Sequence, residues 1–213
     1  MDRTDIPYIE NPGQACALSC YTMVSKYFFP EATFQQIGEI SRWEPGFVVW
    51  EMPFWNWIME KGVSVTNYDV IDYSLWAKKG TTGLKETVPN EEFAYYQKHT
   101  NNLDSYTKDI QQLLKNNAYV QQQRNPTWDD LLKELGNGAV CTAVLDACAL
   151  DNKEGFDLHQ VVILDVTDKD IIFHDPRAKD KAKPHRIESI QHFKFAWLEK
   201  VSAPSLCAYK KAT

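Results

Sequence analysis

The spacing of apolar and polar positions changes character along the chain. From Gln14 to about Phe28 apolar residues recur every three or four positions, and Cys16, Cys20, Met23, Val24 and Tyr27 share one stripe of a helix. Asn11-Pro12-Gly13 ahead of it is turn chemistry, so Cys16 falls in the first helical turn. Pro30 ends this helix. Thr33 opens a second through about Glu39, with Phe34, Ile37 and Ile40 turned inward. A third runs from Val48 to Lys61, carrying Trp50, Phe54, Trp57 and Ile58 on its apolar face, and Gly62 stops it.

A short strand, Val63 to Tyr68, leads into a polar stretch from Asp69 to about Asn117, where Asn90 to His99 and Leu103 to Lys115 have helical spacing. A further strand is expected over Ala118 to Gln122. Thr127 and Asp130 stand at the spacing of a capping box and open a helix that stops at Gly136 to Gly138. Beyond these glycines the pattern is that of strands: Ala139 to Asp146, Leu158 to Val166, Ile171 to His174 and Leu206 to Lys210, with one helix from about Glu188 to Leu198. Helices first and an antiparallel sheet last give an α+β layout. The 213 residues suit one domain spanning 1–213, with 69–117 as a helical insertion or lid.

Charge and cysteine usage narrow the function classes. At a formal charge of −6 the chain lacks the clustered Lys and Arg that displace counterions from a phosphate backbone, so nucleic acid is not an expected partner. No run reaches the roughly 18 apolar residues of a membrane span. The first residues lack the basic and apolar regions of a secretory leader, so a cytoplasmic protein without membrane attachment is expected. Five cysteines cannot all pair, and a disulfide framework is not expected. No Cys-x-x-Cys pair suggests a metal, and no organic cofactor is implied.

One of these thiols stands out by position. A cysteine in the first turn of a helix meets unpaired backbone N–H groups and the positive end of the helix dipole, which favour thiolate over thiol. A base is available in Leu158-His159-Gln160-Val161-Val162-Ile163, a strand apolar on both faces that a histidine opens. The turn Thr167-Asp168-Lys169-Asp170 returns the chain as Ile171-Ile172-Phe173-His174-Asp175-Pro176. This hairpin brings Asp175 beside His159 within a residue or two of register and puts His174 on the opposite face. A carboxylate beside imidazole fixes the tautomer whose other nitrogen takes a proton from sulfur. Cys20, Cys141, Cys148 and Cys207 read as core residues, and His174 as a partly exposed structural residue.

Cys16-Ala17-Leu18-Ser19-Cys20-Tyr21-Thr22-Met23-Val24, with Tyr27, resembles the nucleophile helix of the papain-like peptidases that process double-glycine leaders of bacteriocins. His159-Gln160-Val161-Val162-Ile163 through His174-Asp175-Pro176 resembles the histidine strand and Asp-Pro turn of that family, and Thr127 to Gly138 the helix and glycine turn before its central strand. The resemblance covers about 6–45 and 118–200. It implies a papain-like fold, with the helical part carrying the nucleophile Cys16 and the antiparallel sheet carrying the base His159 and its orienting group Asp175.

Two positions depart from the family pattern. Ala17-Leu18 stands where Gly-Pro is usual, and Glu10 stands where a glutamine amide would face the oxyanion. A carboxylate cannot donate there unless protonated, so the amide is expected from Gln14 or Asn11, with Gln14 preferred and the Cys16 N–H as second donor. The expected activity is thiol-dependent hydrolysis of a peptide or other amide through an acyl-enzyme. Two rivals stand beside it: an acyltransferase or peptide ligase using the same triad, and a binding module that keeps the scaffold without activity.

Overall fold

The computed structural model describes residues 3–177 and 181–211. Its first long element, α1 (Cys16–Phe28), starts two residues later than its spacing suggests, because Gln14 has a left-handed backbone with φ of +52°. Leu18 to Ser25 are all buried, so this is a central helix enclosed on every side. Two of its hydroxyls are satisfied locally: Thr22 donates to the Leu18 carbonyl at 2.8 Å and Ser25 to the Tyr21 carbonyl at 2.7 Å.

The second helix, α2 (Phe34–Ile40), is capped by Thr33, whose hydroxyl accepts from the Gln36 N–H. The third, α3 (Met52–Glu60), is shorter than the expected 48–61. Pro53 explains this, since proline suits a first turn where its missing N–H is not needed. The residues before α3 form no regular helix, and the Val48 N–H donates to the His99 carbonyl at 2.7 Å.

Residues 69–117 hold more helix than their polar sequence suggests: α4 (Tyr73–Lys79), α5 (Thr81–Thr87), α6 (Asn90–His99) and α7 (Tyr106–Leu113). Trp76, Leu84, Ile110 and Leu113 are completely buried in the same apolar cluster as α1 and α3. Polar ties reinforce this seam, with Trp50 Nε1 donating to Thr100 Oγ1 at 3.0 Å and Asn56 Nδ2 to the Asp109 carbonyl at 2.9 Å.

Among the described residues the sheet has seven strands: β1 (Val63–Asp69), β2 (Tyr119–Gln123), β3 (Val140–Asp146), β4 (Leu158–Val166), β5 (Asp170–Asp175), β6 (Lys183–Ser189) and β7 (Ser205–Lys211). Their order is β2-β1-β7-β3-β4-β5-β6, and every neighbouring pair is antiparallel except β1 with β2. Val162 and Leu164 of β4 face the cluster around α1, whereas Val161 and Ile163 face a second cluster. That second layer is built on α8 (Trp128–Gly136), α9 (Ala147–Leu150) and α10 (Ile190–Lys194), the last running on into a π-turn, Phe195–Glu199. The Thr127–Asp130 capping box forms as its spacing suggests.

The helix expected from Glu188 is corrected: residues 183–189 are an edge strand, and Ser189 caps α10 by accepting from the His192 N–H. Among the described residues no helix is long and apolar enough to cross a membrane.

Candidate active site

The loop before α1 sets the position of Cys16. Asn11 Oδ1 accepts from the N–H of Gly13 at 2.8 Å and of Ala15 at 3.1 Å, folding residues 11–15 into a tight turn. No side chain caps α1, so its first backbone N–H groups face the space around Cys16. Cys16 itself is half-buried. Leu18 points into the core against Gly38, leaving Ala17 as the half-exposed neighbour of the thiol where Gly-Pro was usual.

The β4–β5 hairpin delivers the other two groups. Val162 pairs with His174, which puts Asp175 opposite Val161, a diagonal step from His159. His159 Nε2 lies 2.8 Å from Asp175 Oδ1. With Nε2 taken, Nδ1 is the nitrogen left to interact with the Cys16 thiol, and the two groups shift each other's protonation. The three residues expected from sequence therefore converge.

Electrostatics at this cluster favour charge separation. Burial pushes the Cys16 thiol up, but the His159 hydrogen bond and charge, with the N–H groups of Gln160 and Ala17, outweigh it and leave the thiol below its ordinary value. Burial pulls His159 down, yet its bond to Asp175 and then its pairing with Cys16 push it up to about 9. Burial also opposes the Asp175 charge, and His159 with Arg177 holds that carboxyl down at about 2. The arrangement suits a thiolate facing an imidazolium at neutral pH.

Sequence reasoning missed the groups behind Asp175. Arg177 Nε donates to Asp175 Oδ1 at 3.0 Å and its Nη2 to Oδ2 at 3.0 Å, while Arg186 Nη1 reaches Oδ2 at 2.9 Å. Both guanidinium groups also hold Asp151, Arg177 through contacts at 2.7 and 3.0 Å and Arg186 at 3.1 Å. A signal existed for Arg177, two residues past Asp175 across a proline. None existed for Arg186, which lies on the strand that the sequence did not reveal.

Other expectations are redistributed. Gln14 is exposed, whereas Asn11 is buried, and among the described residues its Nδ2 donates to no acceptor. Glu10 turns to solvent. Cys20 is buried and its thiol donates to the Gln160 carbonyl at 3.3 Å. Cys141 and Cys207 are buried, and Cys148 is half-buried. His174 is fully buried rather than partly exposed: its Nε2 donates to the Ile6 carbonyl at 2.8 Å, and its Nδ1 accepts from the His185 N–H at 3.2 Å. It ties the entry segment to the sheet, and Tyr8 adds a bond from its hydroxyl to the Asp175 carbonyl at 3.2 Å.

No protein-family model matches the chain, and no curated protein matches it either. A solved structure does: a Bacillus anthracis protein described as a candidate C39-like peptidase is similar with a TM-score of 0.53 and 11% sequence identity, covering 99% of this chain and 97% of that one. The likeness runs through residues 69–117, outside the stretches that carry the sequence resemblance. The chain has an α+β, papain-like fold of the C39-like peptidase type.

Proposed function

We propose that this protein is a thiol-dependent hydrolase of peptide or other amide bonds, with Cys16 as nucleophile, His159 as base and Asp175 as the group that orients the imidazole. The observation that carries this reading is the 2.8 Å approach of His159 Nε2 to Asp175 Oδ1, with Cys16 near enough to His159 for each to shift the other's protonation. Fold alone would not suffice, because one scaffold hosts many chemistries.

In this reading His159 Nδ1 holds the proton given up by Cys16, and the sulfur attacks the substrate carbonyl carbon. The carbonyl oxygen becomes an oxyanion and takes hydrogen bonds from the Cys16 backbone N–H and from Asn11 Nδ2, which replaces Gln14 as the side-chain donor. His159 then gives its proton to the leaving amine, and the C–N bond breaks to leave a thioester on Cys16. Water, deprotonated by His159, attacks the thioester carbonyl; the C–S bond breaks, the carboxylic acid leaves, and His159 returns the proton to the sulfur. Asp175 stabilises the imidazolium at each proton transfer.

Iodoacetamide labelling of Cys16 against pH tests this without a known substrate. The expected result is rapid labelling well below the ordinary thiol range, lost when His159 is replaced by Ala. Labelling that follows a free thiol in both proteins would point to a binding module on a peptidase scaffold and overturn the proposal.

A further inference from the structure

His159 and Asp175 belong to a larger buried charge network that the proposed reaction does not by itself require. Arg177 bridges two carboxylates, bonding both oxygens of Asp175 and both oxygens of Asp151. Arg186 repeats the bridge with one nitrogen, while its Nε and Nη2 hold Glu188 Oε1 at 2.8 and 2.6 Å. Its Nη2 also donates to the Leu150 carbonyl at 2.8 Å. Every guanidinium nitrogen of the pair thus has an acceptor, so neither arginine is left to bind substrate.

Charge counting shows what this network does. Two arginines alone around Asp175 would cancel the negative charge that an imidazolium needs. Asp151 and Glu188 restore it: setting aside the solvent-exposed Lys153, two arginines against Asp151, Asp175 and Glu188 leave one net negative charge behind protonated His159. The geometry contributes as well. Fork contacts on both oxygens fix the plane of the Asp175 carboxylate, which leaves Oδ1 directed at His159 Nε2. The groups acting on His159 directly are Asp175 from β5 and Cys16 from α1; Arg177, Arg186 and Tyr8 reach Asp175, and Asp151 and Glu188 lie behind the arginines. Lys153, 3.1 Å from Asp151, sits at the solvent rim.

We propose that Asp151, Arg177 and Arg186 form a positioning unit for the Cys16–His159 pair, in which Asp151 acts through the two arginines to hold Asp175 in plane and to keep the imidazolium favoured. This rests on the reading of Cys16 and His159 as a reactive pair. Asp151 touches neither of them, so the inference gives a role in reactivity to a residue outside the reacting groups.

The test replaces Asp151 with Asn, which keeps the shape and removes the charge. Two readouts are taken on the full chain: the pH profile of Cys16 alkylation by iodoacetamide, and the imidazole titration of His159 by NMR. Removing the Asp151 charge lowers the alkaline limit of the ion pair by about half to one pH unit, and Asp151→Glu restores it. If Asp151→Asn does not fold, Glu188→Gln at the rim replaces it, with a smaller shift of the same sign. A folded Asp151→Asn protein, or a folded Glu188→Gln protein in its place, whose two profiles superimpose on the parent overturns the positioning role and leaves the proposed enzyme intact. A parent whose labelling follows a free thiol, unchanged by His159→Ala, overturns both.

Discussion

The imidazole Nε2 of His159 lies 2.8 Å from Oδ1 of Asp175, across two strands whose paired residues are nearer the turn than either group. Both side chains are almost wholly excluded from water, at 6% and 0% exposure. Replacing Asp175 with Asn should therefore act twice. The arginines need acceptors, so they draw the amide oxygen toward themselves and turn its NH2 at the imidazole, imposing the wrong tautomer. A rate loss on the order of a hundredfold or more is expected in Cys16 alkylation at neutral pH. Leaving two buried arginines short of a counter-charge should also cost about 3–5 kcal/mol in urea unfolding.

Asn11 and Gln14 make opposite predictions. Asn11→Asp keeps the oxygen that holds the N–H groups of Gly13 and Ala15 but loses the amide donor. Hydrolysis of an activated thiol-reactive ester should fall by about a hundredfold to a thousandfold, with little change in melting temperature. Gln14→Ala, at an exposed position, should leave the rate within about twofold. Equal effects from both substitutions would remove Asn11 from the oxyanion site.

Acid should weaken the fold through the same cluster. Asp175 is held at about 2 against an unfolded value near 4, so its contribution is fully present above that unfolded value and is lost as pH falls from about 4 to about 2. For one fully buried carboxylate this is about 2 kcal/mol. His159 has the opposite sign. Raised to about 9, it adds stability that is complete below its unfolded value near 6.5 and disappears as pH climbs through 9. Urea midpoints across pH 2–10 check both limbs, and His159→Ala should flatten the alkaline one.

His159 and Asp175 were legible as a pair because their geometry is local, whereas Cys16 was legible only from its place in the first turn of a helix. Three residues, Thr167 to Lys169, join β4 to β5, and strand alternation then decides which of His174 and Asp175 meets His159. Nothing comparable announces Arg186. It is the one buried position in a seven-residue edge strand, Lys183 to Ser189, and an edge strand with both faces largely wet has no apolar alternation to read. The helices α4 and α5 were missed for a related reason. Each buries two residues, Tyr73 and Trp76 in one and Gly83 and Leu84 in the other, too few for a periodic stripe. Asn11 was visible beside Gln14, but the choice between them depended on a left-handed backbone at Gln14 that residue types do not favour.

Those two short helices cross at Gly83, which sets up the most decisive stability test of residues 69–117. In an open helix, replacing glycine with alanine stabilises by about 1 kcal/mol. Here an added Cβ would come within 2.6 Å of the Leu75 carbonyl carbon and 2.8 Å of Trp76 Cα. Those are backbone atoms, which cannot rotate away, and Trp76 is packed edge-on to Trp50 at 5.0 Å between ring centroids. Relief requires α4 and α5 to separate, which strains the packing of a fully buried Trp76. Overpacking of this kind costs about 1–3 kcal/mol, enough to reverse the helix-propensity gain. Gly83→Ala should lower the urea midpoint, and Gly136→Ala, where a Cβ meets nothing within 4 Å, should not. If Gly83→Ala proves neutral or stabilising, α4 and α5 do not approach each other as closely as described.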